Sequence, residues 1–124
     1  MIARVLLAFA FAALGLLALP SAAQRGPAPV EVSMPQVPLA ELPREARDTL
    51  SLVRKGARLP FAKDGAVFGN REGHLPKRPR GYYREYTVKT PGERSRGARR
   101  LVIGSRGEVY YTADHYNTFR LVRE

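Results

Sequence analysis

The residues of this sequence that could act on a phosphate group are one carboxylate, a set of arginines and one histidine. Glu85 lies in the middle of Gly81–Thr90, where aromatic and β-branched residues alternate as in a β-strand. His115 lies later in a predicted loop, and between the two lie Arg94, Arg96, Arg99 and Arg100. On adjacent strands, such groups could do phosphoryl chemistry without a metal. The alternative is that Glu85 is an exposed strand residue that forms weak ion pairs with surface arginines.

The charge and the length of the chain limit its class and its partners. The 124 residues carry a formal net charge of +10, which favours polyanions such as nucleic acid or an anionic membrane surface as partners. The charge could also serve solubility alone. Since the sequence contains no cysteine, disulfides, thiol catalysis and cysteine metal sites are excluded. His74 and His115 lie far apart in the sequence, which argues against a zinc site, and His74 is expected to be structural or solvent-facing.

The first 23 residues have the pattern of a secretory signal peptide. Arg4 supplies the positive start, Val5–Leu19 is continuously apolar, and Ser21-Ala22-Ala23 resembles a cleavage site. The alternative is an uncleaved anchor, although the apolar run is short for a membrane span. We expect a secreted protein with a signal peptide at residues 1–23, a Pro-rich flexible leader at residues 24–40 and a folded domain at residues 41–124.

The rest of the sequence predicts an α+β domain. Glu41–Lys55 has apolar residues at helical spacing and is the predicted helix. The predicted strands are Ala66–Phe68, Tyr82–Lys89, Ala98–Ile103, Glu108–Thr112 and Thr118–Val122. We therefore expect one N-terminal helix packed on a four- to five-stranded antiparallel sheet. The two-residue period of a strand places Tyr83, Glu85 and Thr87 on one face of that sheet.

Three segments of the sequence resemble motifs of the microbial guanyl-specific ribonucleases, the barnase-like family. FGNREGHLP at residues 68–76 resembles their guanine-binding loop, and GYYREYTVKTPGERSRGARRLVIG at residues 81–104 resembles their central hairpin. YYTADHYNTF at residues 110–119 resembles the segment that carries their catalytic histidine. The resemblance extends from about Leu42 to Val122 and implies the helix-on-sheet fold of that family.

The resemblance also implies a catalytic role for four residues. Glu85 would be the general base and His115 the general acid, while Arg96 and Arg100 would bind the scissile phosphate and stabilise its charge.

The family needs no metal or cofactor and forms a 2′,3′-cyclic phosphate. Some members are paired with a small acidic inhibitor of the barstar type, which would be a possible partner here. We expect the protein itself to be a monomer.

Guanine recognition is implied for a second set of residues. Glu72 would pair with the base, assisted by main-chain N–H groups of Asn70 and Arg71, and Phe68 and Tyr116 would pack around the base or its ribose. Guanine offers adjacent N1–H and N2–H donors that one carboxylate can accept, but only in an unstacked single strand.

The chemistry that the residues allow agrees with this resemblance. Because RNA supplies its own nucleophile, the 2′-hydroxyl, a base and an acid are sufficient for cleavage. The sequence therefore predicts an endoribonuclease that cleaves single-stranded RNA 3′ to guanosine. The alternative is a non-enzymatic cationic protein that binds RNA or anionic envelopes through charge, and such a protein needs neither Glu72 nor Glu85.

Overall fold

In the part of the chain that the structure describes, one helix packs on a six-stranded sheet. The computed structural model describes Gly15 and residues 34–124. Its elements are β1 (Gln36–Pro38), a 3-10 turn (Leu39–Glu41), α1 (Arg44–Arg54), β2 (Ala66–Phe68), β3 (Tyr83–Thr87), β4 (Arg100–Gly104), β5 (Val109–Thr112) and β6 (Arg120–Arg123). The predicted α+β class is confirmed. The predicted signal peptide, apart from Gly15, and residues 24–33 of the predicted leader lie outside the described residues.

The sheet has one strand more than the largest number predicted. Its strand order is β1-β6-β5-β4-β3-β2, with antiparallel neighbours throughout except for the parallel pair β1 and β6. The additional strand is β1, from the segment that was predicted to be a flexible leader. Val37 is buried and pairs with Val122 in the register of the two strands. Pro38 cannot donate a ladder hydrogen bond, which an edge strand tolerates.

The helix is shorter than predicted but has the predicted orientation. It begins after Pro43 instead of at Glu41, because a separate 3-10 turn precedes it. Ala46 and Leu50 are its buried residues and pack against the sheet. Gly56 follows the helix with a φ of +65°, a left-handed conformation that glycine adopts without strain and that is common where a helix ends.

The two faces of the sheet have different environments. One face packs on α1 through a cluster that includes Leu101 and Tyr111. The opposite face carries a second apolar cluster, composed of Leu75, Tyr83, Val102, Tyr110 and Phe119. In the register of the strands, Glu85 pairs with Val102 and Thr87 pairs with Arg100. Glu85 and Arg100 therefore belong to the face that α1 leaves free.

Candidate active site

A cleft of about 490 Å³ lies over the face of the sheet that α1 leaves free. Three parts of the chain line it: β2 with the β2 loop (residues 69–75), the middle of β3, and the β5–β6 loop (residues 113–119). The predicted site residues that line this cleft are Phe68, Asn70, Arg71, Glu72, Glu85, His115 and Tyr116. The remaining two, Arg96 and Arg100, do not line it but contact residues that do.

Glu85 receives two donors at the floor of the cleft. Its Oε1 lies 3.5 Å from a terminal nitrogen of Arg96, and its Oε2 accepts a hydrogen bond of 2.8 Å from the phenol of Tyr116. The Glu85 side chain is 15 % exposed, so solvent screens these contacts far less than it screens a surface pair. Glu85 is thus held by a cation at one carboxylate oxygen and by a neutral donor at the other.

Arg96 is held in place by Thr87. Its Nε and one terminal nitrogen donate to the Thr87 hydroxyl at 3.0 and 2.9 Å. Thr87 is buried and lies two residues after Glu85 on the same face of β3. Its role was missed in the sequence, although the two-residue period already placed it beside Glu85. Thr87 thus orients the guanidinium that approaches the Glu85 carboxylate.

Arg100 is a buried cation held by the backbone. One terminal nitrogen donates to the carbonyls of Arg99, Gly97 and Arg96 at 2.8, 3.0 and 3.4 Å. Its Nε is also buried and has no hydrogen-bond partner among the described residues. The guanidinium carbon lies 5.9 Å from the centre of the Tyr116 ring. The guanidinium of Arg100 therefore fixes a positive charge close to the Tyr116–Glu85 contact. Its Nε–H remains a donor without an acceptor among the described residues.

The β5–β6 loop presents an exposed His115 at the cleft. His115 and Tyr116 adopt φ angles of +54° and +71°, an uncommon conformation for residues other than glycine. The His115 N–H donates to the Ala98 carbonyl at 2.9 Å, which ties the loop to the segment before β4.

Asp114 stabilises the turn around His115. Its carboxylate accepts hydrogen bonds from the Thr118 hydroxyl and N–H at 2.6 and 2.9 Å, and from the Thr112 hydroxyl at 2.8 Å. The hydrogen bonds from Thr118 are the main reason that the pKa of Asp114 lies below its ordinary value. This role was not predicted, although Asp is a residue type that favours turns through hydrogen bonds of its own side chain.

Tyr116 connects the aromatic wall of the cleft with Glu85. Its ring stacks on Phe68, with the two centres 4.9 Å apart and an interplanar angle of 27°. Burial, followed by the hydrogen bond to Glu85, raises the pKa of Tyr116 to about 12. The phenol is therefore a donor at neutral pH. Packing around a base or ribose was the predicted role, and the contact with Glu85 is an additional one that the sequence did not indicate.

The β2 loop is held by Asn70. Its side-chain amide donates to the Leu75 carbonyl at 2.9 Å and accepts from the Leu75 N–H at 3.1 Å. The main-chain carbonyl of Asn70 accepts a hydrogen bond of 3.0 Å from the Gly73 N–H. Because the Asn70 side chain is occupied in this way, it organises the loop, and any contact with a ligand would have to use the main chain.

Glu72 and His74 form a pair at the edge of the cleft. His74 Nε2 lies 3.1 Å from Glu72 Oε2, and both residues line the cleft. The expected structural or solvent-facing role of His74 did not include this contact, which depends on the turn at Gly73. Arg71 is exposed beside them. The structure therefore brings two acidic and two histidine side chains to one cleft.

Two further features concern the part of the chain that the structure describes. No group of three or more His, Cys, Asp and Glu side chains is placed there to hold a metal ion. No helix in residues 34–124 is long and apolar enough to cross a membrane.

Comparison with known proteins decides the family. The family model described as ribonuclease matches residues 25–123. The chain belongs to this ribonuclease family. It is 59 % identical over 86 residues to guanyl-specific ribonuclease St of Saccharopolyspora erythraea, covering 69 % of this chain and 85 % of the relative. It is also 53 % identical over 85 residues to guanyl-specific ribonuclease Sa of Kitasatospora aureofaciens, covering 68 % of this chain and 88 % of the relative.

A solved structure of the family has the same fold. Ribonuclease Sa2 with guanosine-2′-cyclophosphate is 47 % identical to this chain and matches it with a TM-score of 0.70, over 73 % of this chain and 97 % of the other. The family membership that the three motifs of the sequence predicted is therefore confirmed.

Proposed function

We propose that this protein is an endoribonuclease that cleaves single-stranded RNA on the 3′ side of guanosine. The observation that carries this proposal is the single cleft in which Glu72, Glu85 and His115 meet. The similar ribonucleases St and Sa are named guanyl-specific, and Sa2 is described with a guanosine nucleotide. Conversely, a protein that only bound polyanions would have no need of two carboxylates in a basic chain of net charge +10.

In the proposed reaction, RNA supplies the nucleophile and the protein moves the protons. Glu85 takes the proton of the 2′-hydroxyl while O2′ attacks phosphorus, and the bond from phosphorus to O5′ breaks. His115 donates a proton to the departing O5′, which leaves a 2′,3′-cyclic phosphate. In the second step water attacks the cyclic phosphate, with His115 as base and Glu85 as acid, because microscopic reversibility exchanges their roles.

Arg96 and Arg100 would stabilise the charge that develops on the phosphate. Fixed donors in a water-poor site stabilise such charge without reorganising. Thr87 holds Arg96 and three carbonyls hold Arg100, so both cations are in place before substrate binds. A phosphate oxygen would also provide an acceptor close to the buried guanidinium of Arg100, whose Nε lacks one.

Glu72 would read the base. Its exposed carboxylate lies in the β2 loop, and beside the contact of Oε2 with His74 both oxygens keep lone pairs that can accept the N1–H and N2–H groups of guanine. Main-chain N–H groups at Asn70 and Arg71 would approach the guanine O6, which adenine lacks. Phe68 and Tyr116 form the aromatic wall on which an unstacked base could pack.

One digestion tests the proposal. The protein is incubated in EDTA with an RNA oligonucleotide that contains one guanosine, and the ends of the products are mapped. We expect a single cut 3′ to the guanosine and a transient cyclic phosphate. Glu85→Gln should slow the cut about 10²–10⁴-fold, whereas the matched control Glu93→Gln, in an exposed loop, should retain the rate of the wild type. Binding without cleavage would instead support a non-enzymatic cationic protein, and cuts at every base would refute guanine specificity.

Three further properties belong to the same proposal. We infer that the protein is secreted after removal of residues 1–23 and that it acts as a monomer. An acidic protein inhibitor of the barstar type would fit a chain with this excess of positive charge, because complementary charge accelerates association.

A further inference from the structure

The imidazole of His74 contacts the carboxylate of Glu72, the residue proposed to read guanine. The distance between Nε2 and Oε2 is 3.1 Å, and the two side chains are 45 % and 69 % exposed. In residues 34–124, no other side chain forms a hydrogen bond or ion pair with Glu72. His74 is therefore the group that restricts where this carboxylate points.

The backbone holds both residues on the same side of the β2 loop. Gly73 lies between them with a φ of +69°, and its N–H donates to Asn70. Asn70 in turn closes the loop on Leu75 with two hydrogen bonds. The main chain on either side of the pair is thus fixed, whereas the exposed Glu72 side chain would have many rotamers without His74.

We propose that His74 is a positioning residue for base recognition and holds the Glu72 carboxylate in the orientation that accepts guanine. This inference rests on the proposed function of the cleft. A carboxylate has about four lone-pair sites on its two oxygens, and His74 uses one of them on Oε2. Sites on both oxygens remain for the two guanine donors, so that His74 and guanine bind Glu72 together.

The contribution of His74 depends on its protonation. A protonated imidazole makes a charge-assisted hydrogen bond to Glu72, which is about twice as strong as a neutral one. Guanine preference should therefore be greatest where His74 is protonated and Glu72 is ionised, and should fall as the pH rises and His74 loses its proton.

The other ionisable groups at the cleft can be separated from His74 by the choice of measurement. The charged or titratable side chains that line it besides this pair are Arg71, Glu85, His115 and Tyr116. Glu85 and His115 act on the phosphate and ribose, which are the same in every substrate. Their protonation therefore cancels in the ratio of kcat/KM for a GpN dinucleotide to that for the matching ApN dinucleotide, while the effect of His74 remains.

The experiment measures this ratio between pH 5 and pH 8 for the complete mature protein, residues 24–124, and for three variants of it. His74→Ala should lower the ratio about two- to fivefold at the acidic end, the range expected for an exposed ion pair. His74→Gln, which keeps a neutral donor, should restore part of the ratio and make it independent of pH. Lys77→Ala is the control, because it removes an exposed positive charge three positions away without touching Glu72, and it should leave the ratio unchanged.

Each other outcome has a definite meaning. A wild-type ratio near one would overturn guanine recognition itself, and the inference with it. A wild type that prefers guanine, combined with an unchanged ratio in His74→Ala, would overturn the role of His74 alone. A higher ratio in His74→Ala would show that His74 competes with guanine, and an equal loss in Lys77→Ala would show a general charge effect; both results contradict positioning.

Discussion

The phenolic oxygen of Tyr116 lies 2.8 Å from Oε2 of Glu85, although 31 positions separate the two residues in the sequence. The same ring stacks on Phe68 and lies 5.9 Å from the guanidinium carbon of Arg100. One side chain thus connects the wall proposed for the base, the proposed general base and a buried cation. Any movement of Tyr116 would change all three environments together.

The proposed acid–base pair predicts a bell-shaped dependence of kcat/KM on pH. Cyclisation needs ionised Glu85 and protonated His115, so Glu85 should govern the acidic limb and His115 the alkaline limb. Glu85→Gln and His115→Gln should each lower the rate about 10²–10⁴-fold and remove the corresponding limb. pH–rate profiles on a GpN substrate in EDTA measure this. Glu93→Gln, at an exposed carboxylate outside the cleft, is the matched control and should keep both limbs. An alkaline limb that survived in His115→Gln would exclude His115 as the acid.

Base choice should depend on Glu72 alone among the acidic residues of the cleft. Glu72→Ala removes the acceptor for two guanine donors, which should cost roughly 1–3 kcal/mol of discrimination, the scale of a bidentate base contact. The ratio of GpN to ApN cleavage should fall accordingly, with ApN cleavage little changed. Glu93→Ala, an exposed carboxylate outside the cleft, serves as the control. If Glu72→Ala kept the ratio of the wild type, base recognition would have to reside elsewhere.

The ionisation of Tyr116 should respond to Glu85. Burial and the hydrogen bond to Glu85 hold the pKa of Tyr116 at about 12. Since a neutral amide stabilises the phenol less than a carboxylate does, Glu85→Gln should lower this pKa, although burial should keep it above the ordinary value of about 10. NMR titration of tyrosine Cζ carbons measures it. Tyr83 is the internal control, because its pKa of about 12 arises from burial and from Glu108 and Tyr82; equal changes in both residues would contradict a specific contact.

The turn that carries His115 should depend on Asp114. Asp114→Ala removes the acceptor for Thr112 and Thr118 and should lower the free energy of unfolding by about 1–2 kcal/mol at neutral pH. Because the pKa of Asp114 is lowered in the folded state, its stabilisation is complete above the ordinary aspartate pKa and is lost as the pH falls through the folded value.

The difference in stability between wild type and Asp114→Ala should therefore shrink below about pH 4. Urea unfolding at several pH values provides the measurement. Asp48→Ala is the control, since the exposed pair of Asp48 with Arg44 should contribute less than about 0.5 kcal/mol. A difference that grew in acid would reverse the assigned sign.

Export should remove the first 23 residues. Intact-mass measurement of protein recovered outside the cells should give a chain that begins at or near Gln24. Leu14→Arg places a charge in the apolar run and should prevent export. Full-length protein that remained in membranes would support the alternative of an uncleaved anchor.

Much of the scaffold follows from local patterns in the sequence. The alternation in Gly81–Thr90 determined that Glu85 and Thr87 share a face, and the spacing of Ala46 and Leu50 determined the buried side of the helix. These features are local, because the period of a strand or helix is written in consecutive residues. The motifs likewise determined the family.

The contacts of the cleft were decided by the tertiary structure. Three examples are the hydrogen bond from Tyr116 to Glu85, the contact of His74 with Glu72 and the pairing of β1 with β6. Each depends on the conformation of the loops that bring its two partners together. His115 and Tyr116 adopt positive φ angles, which are uncommon for residues other than glycine, and surrounding hydrogen bonds hold them there. Since such conformations are stabilised by distant partners, residue types alone could name the site residues but could not determine which of them touch.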